Sequence, residues 1–478
     1  MADGTVVDWS RVRRVHLVGI CGTGMGSFAG MLQAAGYEVT GSDENVYPPM
    51  STQLERWGIE AMSGYRPENL DRARPDAVVI GNVVRAVNPE AAAVRERGVP
   101  QVSFPQALGE LFIGPRHGVV VVGTHGKTTT SALLGFVLHH AGRDPSFLVG
   151  GVTRDFDSNF RLGQGPHFVV EGDEYDTAYF DKGPKFLHYR PRTAVFTSCE
   201  LDHADIYRDE AHYRSAFERF VALLPPDGFL AACATWPGVL EIARGARCAV
   251  ESYSVERPAD WEARGLSLAA DGARFTLVRR GEPLGPVHLA VGGAHNVENA
   301  LGAAAAAMRL GLSFGEVAAA LSAFRGVKRR QEVRGRAGGV TVVDDFAHHP
   351  TAVARTLAAL RGAFPGARLL VCFEPRSNTS RRSLHQEAYA ASFGDAAEAF
   401  LLRPAPTDRV PEGERLDVER LAAAVSAAGT PARAFATVEE MVPAVRAAAR
   451  PGDVVVAMSN GAFGGIWDKL LAALERAA

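Results

Sequence analysis

The sequence predicts an α/β fold of three domains: an N-terminal Rossmann-like domain, a central P-loop ATPase-type domain with a mixed sheet, and a C-terminal Rossmann-like domain. Two observations support this. Short apolar strands alternate with helical segments along the 478 residues, and a strand that runs into a glycine loop and a helix occurs twice. A chain of this length is also too long for one hydrophobic core. We expect domains at residues 1–112, 113–327 and 328–478.

The first strand-loop-helix unit begins with an apolar strand at Val15–Gly19. The glycine loop after it, and an acid about twenty residues later, are typical of a domain that binds a nucleotide's diphosphate on backbone N–H groups. A dinucleotide cofactor is the alternative, but a second nucleotide-binding domain follows, which favours a nucleotide-linked substrate. The candidate residues are Gly22, Thr23, Gly24, Met25, Gly26, Ser42 and Asp43.

The second unit is the most informative part of the chain. The apolar strand from Val119 ends in the loop Gly123-Thr124-His125-Gly126-Lys127-Thr128-Thr129, which opens a helix reaching about His140. Glycines let backbone N–H groups approach phosphate, a lysine neutralises phosphate charge, and a helix-opening hydroxyl binds Mg²⁺. Val121 stands where the usual eight-residue P-loop has glycine, so this loop is a shortened form. The alternative is an ordinary strand-to-helix turn.

Acidic residues follow the next buried strand of this domain. Glu171 ends the strand Phe168–Glu171, and Asp173, Glu174 and Asp176 come directly after it. Carboxylate and hydroxyl oxygens are the ligands that Mg²⁺ prefers, so Glu171 and Thr128 are candidate metal ligands. The alternative for Glu171 is a surface acid after a strand.

His203 lies in the sequence Leu-Asp-His-Ala-Asp, after another strand of the same domain. It could bind a second metal ion, act as a base, or be held in a polar turn. The pattern therefore predicts ATP and Mg²⁺ as ligands, Lys127, Glu171 and His203 as catalytic residues, and Thr128, Glu171 and His203 as metal ligands.

The rest of the central domain supplies candidates for the nucleoside. An alternating, glycine-punctuated section from about 228 to 290 predicts antiparallel strands. Asn296 and Asn299, at the start of an alanine-rich helix, could read an adenine edge, although helix capping is the alternative. Arg330 and Asp345 could meet phosphate and ribose. A linker arginine and a strand-end acid are the alternatives for these two.

The third domain alternates strands and helices again. The strand candidates are Gly339–Asp345, Ala367–Phe373, Ala396–Leu402 and Asp453–Met458. Arg376 follows a strand, so its guanidinium could clamp a substrate carboxylate, and a surface arginine is the alternative. His348 and His349 are adjacent, and adjacent side chains diverge, so we expect turn histidines near a domain interface rather than a metal pair.

Composition restricts the partners. The net charge of −3 and pI near 6.5 supply no general field for polyanions, so no nucleic-acid partner is expected. The five cysteines form no C-x-x-C pair, which fits a reducing compartment. The start Ala2-Asp3-Gly4 lacks the basic charge of a signal peptide, and no apolar run could span a bilayer. We expect a cytoplasmic protein without a membrane partner.

Taken together, the glycine-lysine loop, the acids after Phe168–Glu171, Asp-His-x-Asp, His-Asn-x-x-Asn and Asp-Asp-x-x-His-His-Pro resemble the Mur ligase family along the whole chain. The resemblance implies ATP-dependent joining of a carboxylate to an amine, through an acyl phosphate, in peptidoglycan assembly. It also implies that Arg376, Asn378 and Asn460 bind the amine substrate, and that the N-terminal glycine loop binds a UDP-sugar.

Within the family, the motifs around Cys21, Ser42–Ser51 and Asp173–Lys182 resemble the branch that recycles murein peptides. That branch implies UDP-N-acetylmuramate and the tripeptide L-alanyl-γ-D-glutamyl-meso-diaminopimelate as substrates. The branch that adds L-alanine is the alternative, and it would carry serine where Tyr175 stands. A non-catalytic nucleotide-binding regulator and a nicotinamide-dependent oxidoreductase are alternatives of other classes. The sequence does not predict an oligomeric state.

Overall fold

The computed structural model describes residues 7–47, 50–405 and 410–475. The predicted outer domain limits, the start Ala2-Asp3-Gly4 and the proline pair at 48–49 within the Ser42–Ser51 motif lie outside the described residues. Three main sheets, each with helices packed on it, follow one another along the chain. The predicted α/β fold class is confirmed.

The N-terminal sheet is parallel throughout, in the order β3-β2-β1-β4-β5. Its strands are β1 (Arg14–Val18), β2 (Glu38–Asp43), β3 (Glu60–Ser63), β4 (Ala77–Ile80) and β5 (Gln101–Ser103). Its helices are α1 (Thr23–Ala34), α2 (Met50–Arg56), α3 (Glu68–Ala73), α4 (Pro89–Glu96) and α5 (Phe104–Leu108). Every residue of β4 is buried, as expected of an apolar run in a sheet covered on both faces.

The central sheet has ten strands, in the order β17-β16-β15-β14-β13-β12-β6-β9-β7-β8. These are β6 (His117–Val122), β7 (Ser146–Thr153), β8 (Ser158–Arg161), β9 (His167–Glu171), β12 (Thr193–Phe196), β13 (Phe229–Cys233), β14 (Ala249–Ser254), β15 (Trp261–Ala269), β16 (Gly272–Arg279) and β17 (Glu282–Leu289). A separate hairpin pairs β10 (Asp176–Ala178) with β11 (Asp181–Pro184). The helices are α6 (Lys127–His140), α7 (Glu210–Val221), α8 (Pro237–Ala243), α9 (Ala294–Arg309) and α10 (Phe314–Ala323).

The prediction of antiparallel strands from 228 to 290 was wrong for its first part. β13 runs parallel to β12, and β14 runs parallel to β13. Within residues 228–290 of the described chain, only β15, β16 and β17 form antiparallel pairs. The reason is local: α8 separates β13 from β14 and carries the chain back to the same edge of the sheet, which a short hairpin cannot do.

The C-terminal sheet has six strands, in the order β18-β19-β23-β20-β21-β22. These are β18 (Glu332–Ala337), β19 (Val340–Asp345), β20 (Leu369–Phe373), β21 (Glu398–Leu402), β22 (Ala432–Phe435) and β23 (Val454–Met458). The helices are α11 (Pro350–Ala363), α12 (Gln386–Ser392), α13 (Val418–Ala427), α14 (Val438–Ala448) and α15 (Ile466–Glu475). Only β18, at the edge, is antiparallel to its neighbour.

The apolar cores divide the chain differently from the sheets. One cluster of buried apolar side chains contains residues of both the N-terminal and central sheets, for example Leu17 and Phe196, together with Phe112 of the helical segment Gly109–Ile113. The clusters of the C-terminal sheet contain only residues from 337 onward. Among the described residues, no helix has the length and apolar character needed to cross a membrane.

Candidate active site

The glycine loop between β6 and α6 is packed tightly from behind. Gly123 and Gly126 have φ angles of 134° and 81°, where side chains other than glycine are strained. A Cβ at Gly123 would lie 2.3 Å from Thr197 Oγ1, and one at Gly126 would lie 2.4 Å from Asn299 Oδ1. No side chain of the described residues caps the N-terminus of α6, so its first N–H groups remain available to an anion.

Thr124 and His125 brace this loop from within the protein. Their N–H groups donate to the carbonyl and the hydroxyl of Ser198, at 3.2 Å and 2.7 Å. The Thr124 hydroxyl donates to the carbonyl oxygen of Glu200, and His125 Nε2 lies 2.7 Å from the Glu200 carboxylate. The structure therefore engages these two N–H groups internally, while Thr129 lies partly exposed on the first turn of α6.

Lys127 is held by an acid of the protein. Its Nζ lies 2.8 Å from Glu174 Oε2 and donates to Glu174 Oε1 at 3.0 Å and to the Gly123 carbonyl at 2.5 Å. Burial works against the charged form, but the carboxylates of Glu174 and then Glu171 leave the pKa of Lys127 above its usual value. The lysine therefore stays cationic beside the phosphate loop. Sequence reasoning missed Glu174 as its partner, although the acids after β9 were the available signal.

Thr128 and Glu171 lie together, as a metal site requires. The Thr128 hydroxyl donates to Glu171 Oε1 at 3.0 Å, and Glu171 Oε2 accepts from the Gly150 N–H at 2.7 Å. Burial raises the pKa of Glu171 against the opposing charge of Lys127. A partly buried carboxylate beside a hydroxyl at the start of a helix is an all-oxygen donor set, which fits Mg²⁺.

His203 is brought to the same place through Glu174. Its Nε2 lies 3.1 Å from Glu174 Oε1, and its ring centroid lies 4.1 Å from that of Tyr175. Burial opposes the charged imidazole, but Asp202 and then Glu174 raise the pKa of His203 to about 9. The raised pKa favours the imidazolium over the neutral ring at neutral pH, and the roles of His203 as a base or metal ligand stay predictions.

The two asparagines of α9 have different positions. Asn296 donates through Nδ2 to the Gly292 carbonyl at 2.7 Å, and the N-cap of the helix is Gly293, so the capping alternative for Asn296 was wrong. Asn299 packs against Gly126 and donates to Asn296 Oδ1 at 3.3 Å. This places Asn299 behind the phosphate loop.

Arg330 reaches the phosphate loop from the third domain, and Asp345 braces the segment beside it. Arg330 is stacked over the Phe346 ring at 4.8 Å and donates to the Thr128 hydroxyl at 3.4 Å. Asp345, buried at the end of β19, accepts hydrogen bonds from the N–H groups of Gln331 and Ala347. These bonds fix the segment that carries Arg330, so the structure brings Arg330 to the metal candidates Thr128 and Glu171.

The three residues predicted to bind the amine substrate lie on loops of the third domain. The Arg376 side chain is 48% exposed and packs closely against Gly461. Asn378 donates to Asp205 Oδ2 at 2.8 Å, across to the central domain. Asn460 Oδ1 is buried without a hydrogen-bond partner among the described residues. Arg376 is thus placed to meet a ligand, whereas Asn378 joins two domains.

The N-terminal glycine loop opens α1. Gly22, Thr23 and Gly24 are exposed there, whereas Met25 and Gly26 are buried, and Gly26 packs against Met50. Asp43 accepts from the N–H groups of Cys21 and Asn45, so it braces the loop. Ser42 Oγ is buried without a partner among the described residues. The exposed start of α1 fits an anion, and the role of the set in binding a UDP-sugar stays a prediction.

Models of three Mur ligase domains match successive parts of the chain. They are the Mur ligase family, catalytic domain, over residues 14–114, the Mur ligase middle domain over 121–307, and the Mur ligase, glutamate ligase domain, over 329–461. The chain belongs to the Mur ligase family. The family prediction is thereby confirmed, as is the prediction of an ATP-dependent ligase that forms amide bonds with small-molecule substrates.

Two similar curated Mur ligases are named UDP-N-acetylmuramate–L-alanyl-γ-D-glutamyl-meso-2,6-diaminoheptandioate ligase. The Escherichia coli protein is 42% identical over 97% of this chain and 99% of its own length, and the Haemophilus influenzae protein is 39% identical over 97% and 100%. A UDP-N-acetylmuramate–L-alanine ligase from Kineococcus radiotolerans is also 42% identical, over 82% of this chain and 81% of its own.

Solved structures of Mur ligases agree with this fold. A murein peptide ligase from Psychrobacter arcticus is 37% identical, with a TM-score of 0.71 over 96% of this chain and 98% of its own. The UDP-N-acetylmuramate-alanine ligase from Thermotoga maritima has a TM-score of 0.79 over 97% and 100%, at 22% identity. The likeness to the second shows the shared fold alone.

Proposed function

We propose that this Mur ligase joins L-alanyl-γ-D-glutamyl-meso-diaminopimelate to UDP-N-acetylmuramate, using ATP and Mg²⁺, in peptidoglycan recycling. The observation that carries the proposal is the match, over nearly the full length of both chains, to two relatives that bear this name. Identity alone does not decide the amine substrate, because an L-alanine ligase reaches the same identity over less of the chain.

The environment of Tyr175 supports the tripeptide over L-alanine. The ring of Tyr175 lies against His203, and the ammonium of Lys185 lies 5.5 Å from its centroid. By resemblance, the L-alanine branch would carry serine at this position, which would leave this volume open. Tyr175 directly follows Glu174, the acid that holds Lys127. A large ring here changes the shape of the site, so the two branches would differ close to the phosphate-binding lysine.

The geometry supports one division of labour. Lys127 and the first N–H groups of α6 would hold the ATP phosphates, and Thr128 with Glu171 would hold Mg²⁺, which supplies positive charge to the transferring phosphoryl group. The muramyl carboxylate would take the terminal phosphoryl group, and the peptide amine would displace phosphate from the resulting acyl phosphate. Arg330, at 3.4 Å from Thr128, would add a fixed positive charge beside the phosphates.

His203 has a positioning role in this proposal. His203 Nε2 lies 3.1 Å from Glu174 Oε1, and Glu174 also pairs with Lys127. The positive charge of His203 therefore weakens the attraction between Glu174 and the lysine. Release of Glu174 by Lys127 would then accompany phosphate binding. The amine's proton would have to go to another acceptor while His203 remains charged.

Side-by-side ligation tests the amine substrate. Purified protein with ATP, Mg²⁺ and UDP-N-acetylmuramate is given the tripeptide or L-alanine at equal concentration, and phosphate release and ligated product are measured. We expect a higher kcat/KM for the tripeptide. A higher kcat/KM for L-alanine would assign the chain to the other branch, and no amine-dependent phosphate release would contradict both substrates.

A further inference from the structure

Two imidazoles and a carboxylate, none of which has a catalytic role in the proposed function, meet where the third domain touches the phosphate loop. His125 belongs to the loop, Glu200 follows β12, and His349 is the N-cap of α11. His125 Nε2 lies 2.7 Å from Glu200 Oε2, and His349 Nδ1 lies 3.6 Å from the same oxygen. One atom from each side chain can be chosen so that all three lie within 4.8 Å of one another.

This spacing is close to that of metal ligands. Ligands about 2.1 Å from a tetrahedral Zn²⁺ lie roughly 3.4 Å from one another, so small side-chain rotations would close the set. Two nitrogens and one carboxylate oxygen suit a borderline ion such as Zn²⁺, whereas Mg²⁺ prefers oxygen ligands only. The set is thus chemically different from the Thr128 and Glu171 pair.

A second observation points to a ligand at this place. The His349 side chain is only 4% exposed, yet its Nε2 has no hydrogen-bond partner among the described residues. His385 packs on it with ring centroids 4.6 Å apart, and its Nε2 is also buried without a partner in the described part of the chain. Leaving a buried polar atom unpaired costs about 1 to 3 kcal/mol. His349 Nδ1, the atom nearest Glu200, accepts from the Thr351 N–H at 3.3 Å, so a cation would recover this cost by binding His349 through Nε2.

We propose that His125, Glu200 and His349 form a site for a divalent transition-metal ion of the Zn²⁺ class, which joins the central domain to the third domain. His348 does not take part, so the adjacency of the two histidines, which argued against a metal pair, does not exclude this site. The ligands come from three separate segments that only the folded, docked domains bring together. Metal binding at this place would therefore tie α11 to the phosphate loop.

The test is calorimetric titration of the metal-stripped full-length protein with Zn²⁺, without nucleotide and with Mg²⁺ in excess to occupy oxygen sites. We expect one micromolar site in the wild type. His125→Gln and His349→Gln, which remove one ligand from each domain, should each weaken it by at least about tenfold. His140→Gln, which removes an exposed imidazole at the end of α6, is the matched control and should not change it.

Melting temperatures measured without metal identify variants that fail to fold. If one of the two histidine variants fails to fold, Glu200→Gln is used in its place. Absence of a micromolar site in the wild type would overturn the proposal. Equal affinity in the wild type and in the folded ligand variants would do so too. Loss of binding in the central-domain variant alone would show that the ion does not join the domains. Ligase turnover with Mg²⁺ is measured separately, so failure of the proposed ligase activity can be distinguished from absence of the metal site.

Discussion

Lys127 Nζ lies 2.8 Å from Glu174 Oε2, so the cation that the phosphate loop supplies is already paired within the protein. Glu174 is 1% exposed and is shared with His203. Phosphate must therefore compete with a buried carboxylate for the lysine. This competition favours a highly charged ligand such as a triphosphate over a singly charged anion.

Replacement of Lys127 by alanine should lower kcat about 10² to 10³-fold or more, because the charge on the transferring phosphoryl group loses its fixed partner. It should also destabilise the protein by about 3 to 5 kcal/mol, because Glu174 loses its closest cation. The double variant Lys127→Ala/Glu174→Gln should recover stability but not turnover. Turnover is measured by phosphate release and stability by urea unfolding.

Lys185→Ala is the matched control for Lys127→Ala. Lys185 is also 12% exposed and pairs with Asp173 at 2.8 Å, one residue before Glu174. It should lose less stability, because Asp173 is 34% exposed, and it should retain far more turnover. Equal loss of turnover in both lysine variants would contradict the assignment of Lys127 to the phosphates.

Glu171→Gln should weaken the dependence of nucleotide binding on Mg²⁺. The carboxylate is the only charged member of the Thr128 and Glu171 pair, and its neutral amide is a poorer ligand for a hard cation. Mg²⁺ should strengthen the binding of a non-hydrolysable ATP analogue in both proteins. We expect the gain in affinity to be at least about tenfold larger in the wild type than in the variant. Calorimetry with and without Mg²⁺ measures this, and an equal Mg²⁺ effect would exclude Glu171 as a ligand.

Gly126→Ala should reduce both stability and nucleotide affinity. An alanine at position 126 would have to adopt the strained φ of 81°. Its Cβ would also lie 2.4 Å from Asn299 Oδ1. Gly142→Ala is its control, because Gly142 has a φ of 72° but no atom within 4 Å of an added Cβ. The control should cost about 1 to 2 kcal/mol from backbone strain and leave nucleotide affinity unchanged. Similar nucleotide affinity in both variants would show that the Gly126 contact with Asn299 does not shape the loop.

Tyr175→Ser should lower the preference for the tripeptide over L-alanine, expressed as the ratio of their kcat/KM values. The reason is that serine removes the ring that packs on His203. Tyr175→Phe keeps the ring and should keep the ratio. A Ser variant with an unchanged ratio would assign the substrate choice to other residues.

Acid should destabilise the protein through a partly buried histidine pair at the start of β6 and β9. His117 and His167 are register partners, and burial, followed by the charge of His167, lowers the pKa of His117 to about 4 from 6.5. Between these pH values the unfolded chain binds more protons than the folded one, so stability falls as pH falls through this window. His117→Gln should show a shallower fall in the urea midpoint than the wild type, and His140→Gln should not.

The phosphate loop could be predicted from sequence because its chemistry is local. Glycines, lysine and threonine follow one another directly after an apolar strand, and the structure places them between β6 and α6. The partner of Lys127 could not be predicted in the same way, because Glu174 is 47 residues away and four acids compete for the assignment. The convergence of His125 with His349 depends on docking of two domains, which no periodicity encodes.

The strand directions after β12 show a different limit. Alternating side chains indicate a half-buried strand but not its direction. β13 is instead an unbroken apolar run with every residue buried, which is typical of a strand with parallel neighbours. The short helix α8, Pro237–Ala243, was the available sign of a parallel crossover. The domain limits at 112 and 327 stay predictions from the same kind of pattern.

The shared apolar cluster of the first two sheets has a consequence for how such chains can be recombined. In a chimaera that exchanged only the first sheet, the new sheet would have to pack against the buried side chains of a second sheet from a different protein. The apolar clusters of the third sheet contain no residue of the first two sheets, and its contacts with the rest include polar ones such as Asn378 with Asp205. It is therefore the segment that can be transplanted between relatives with the fewest compensating changes.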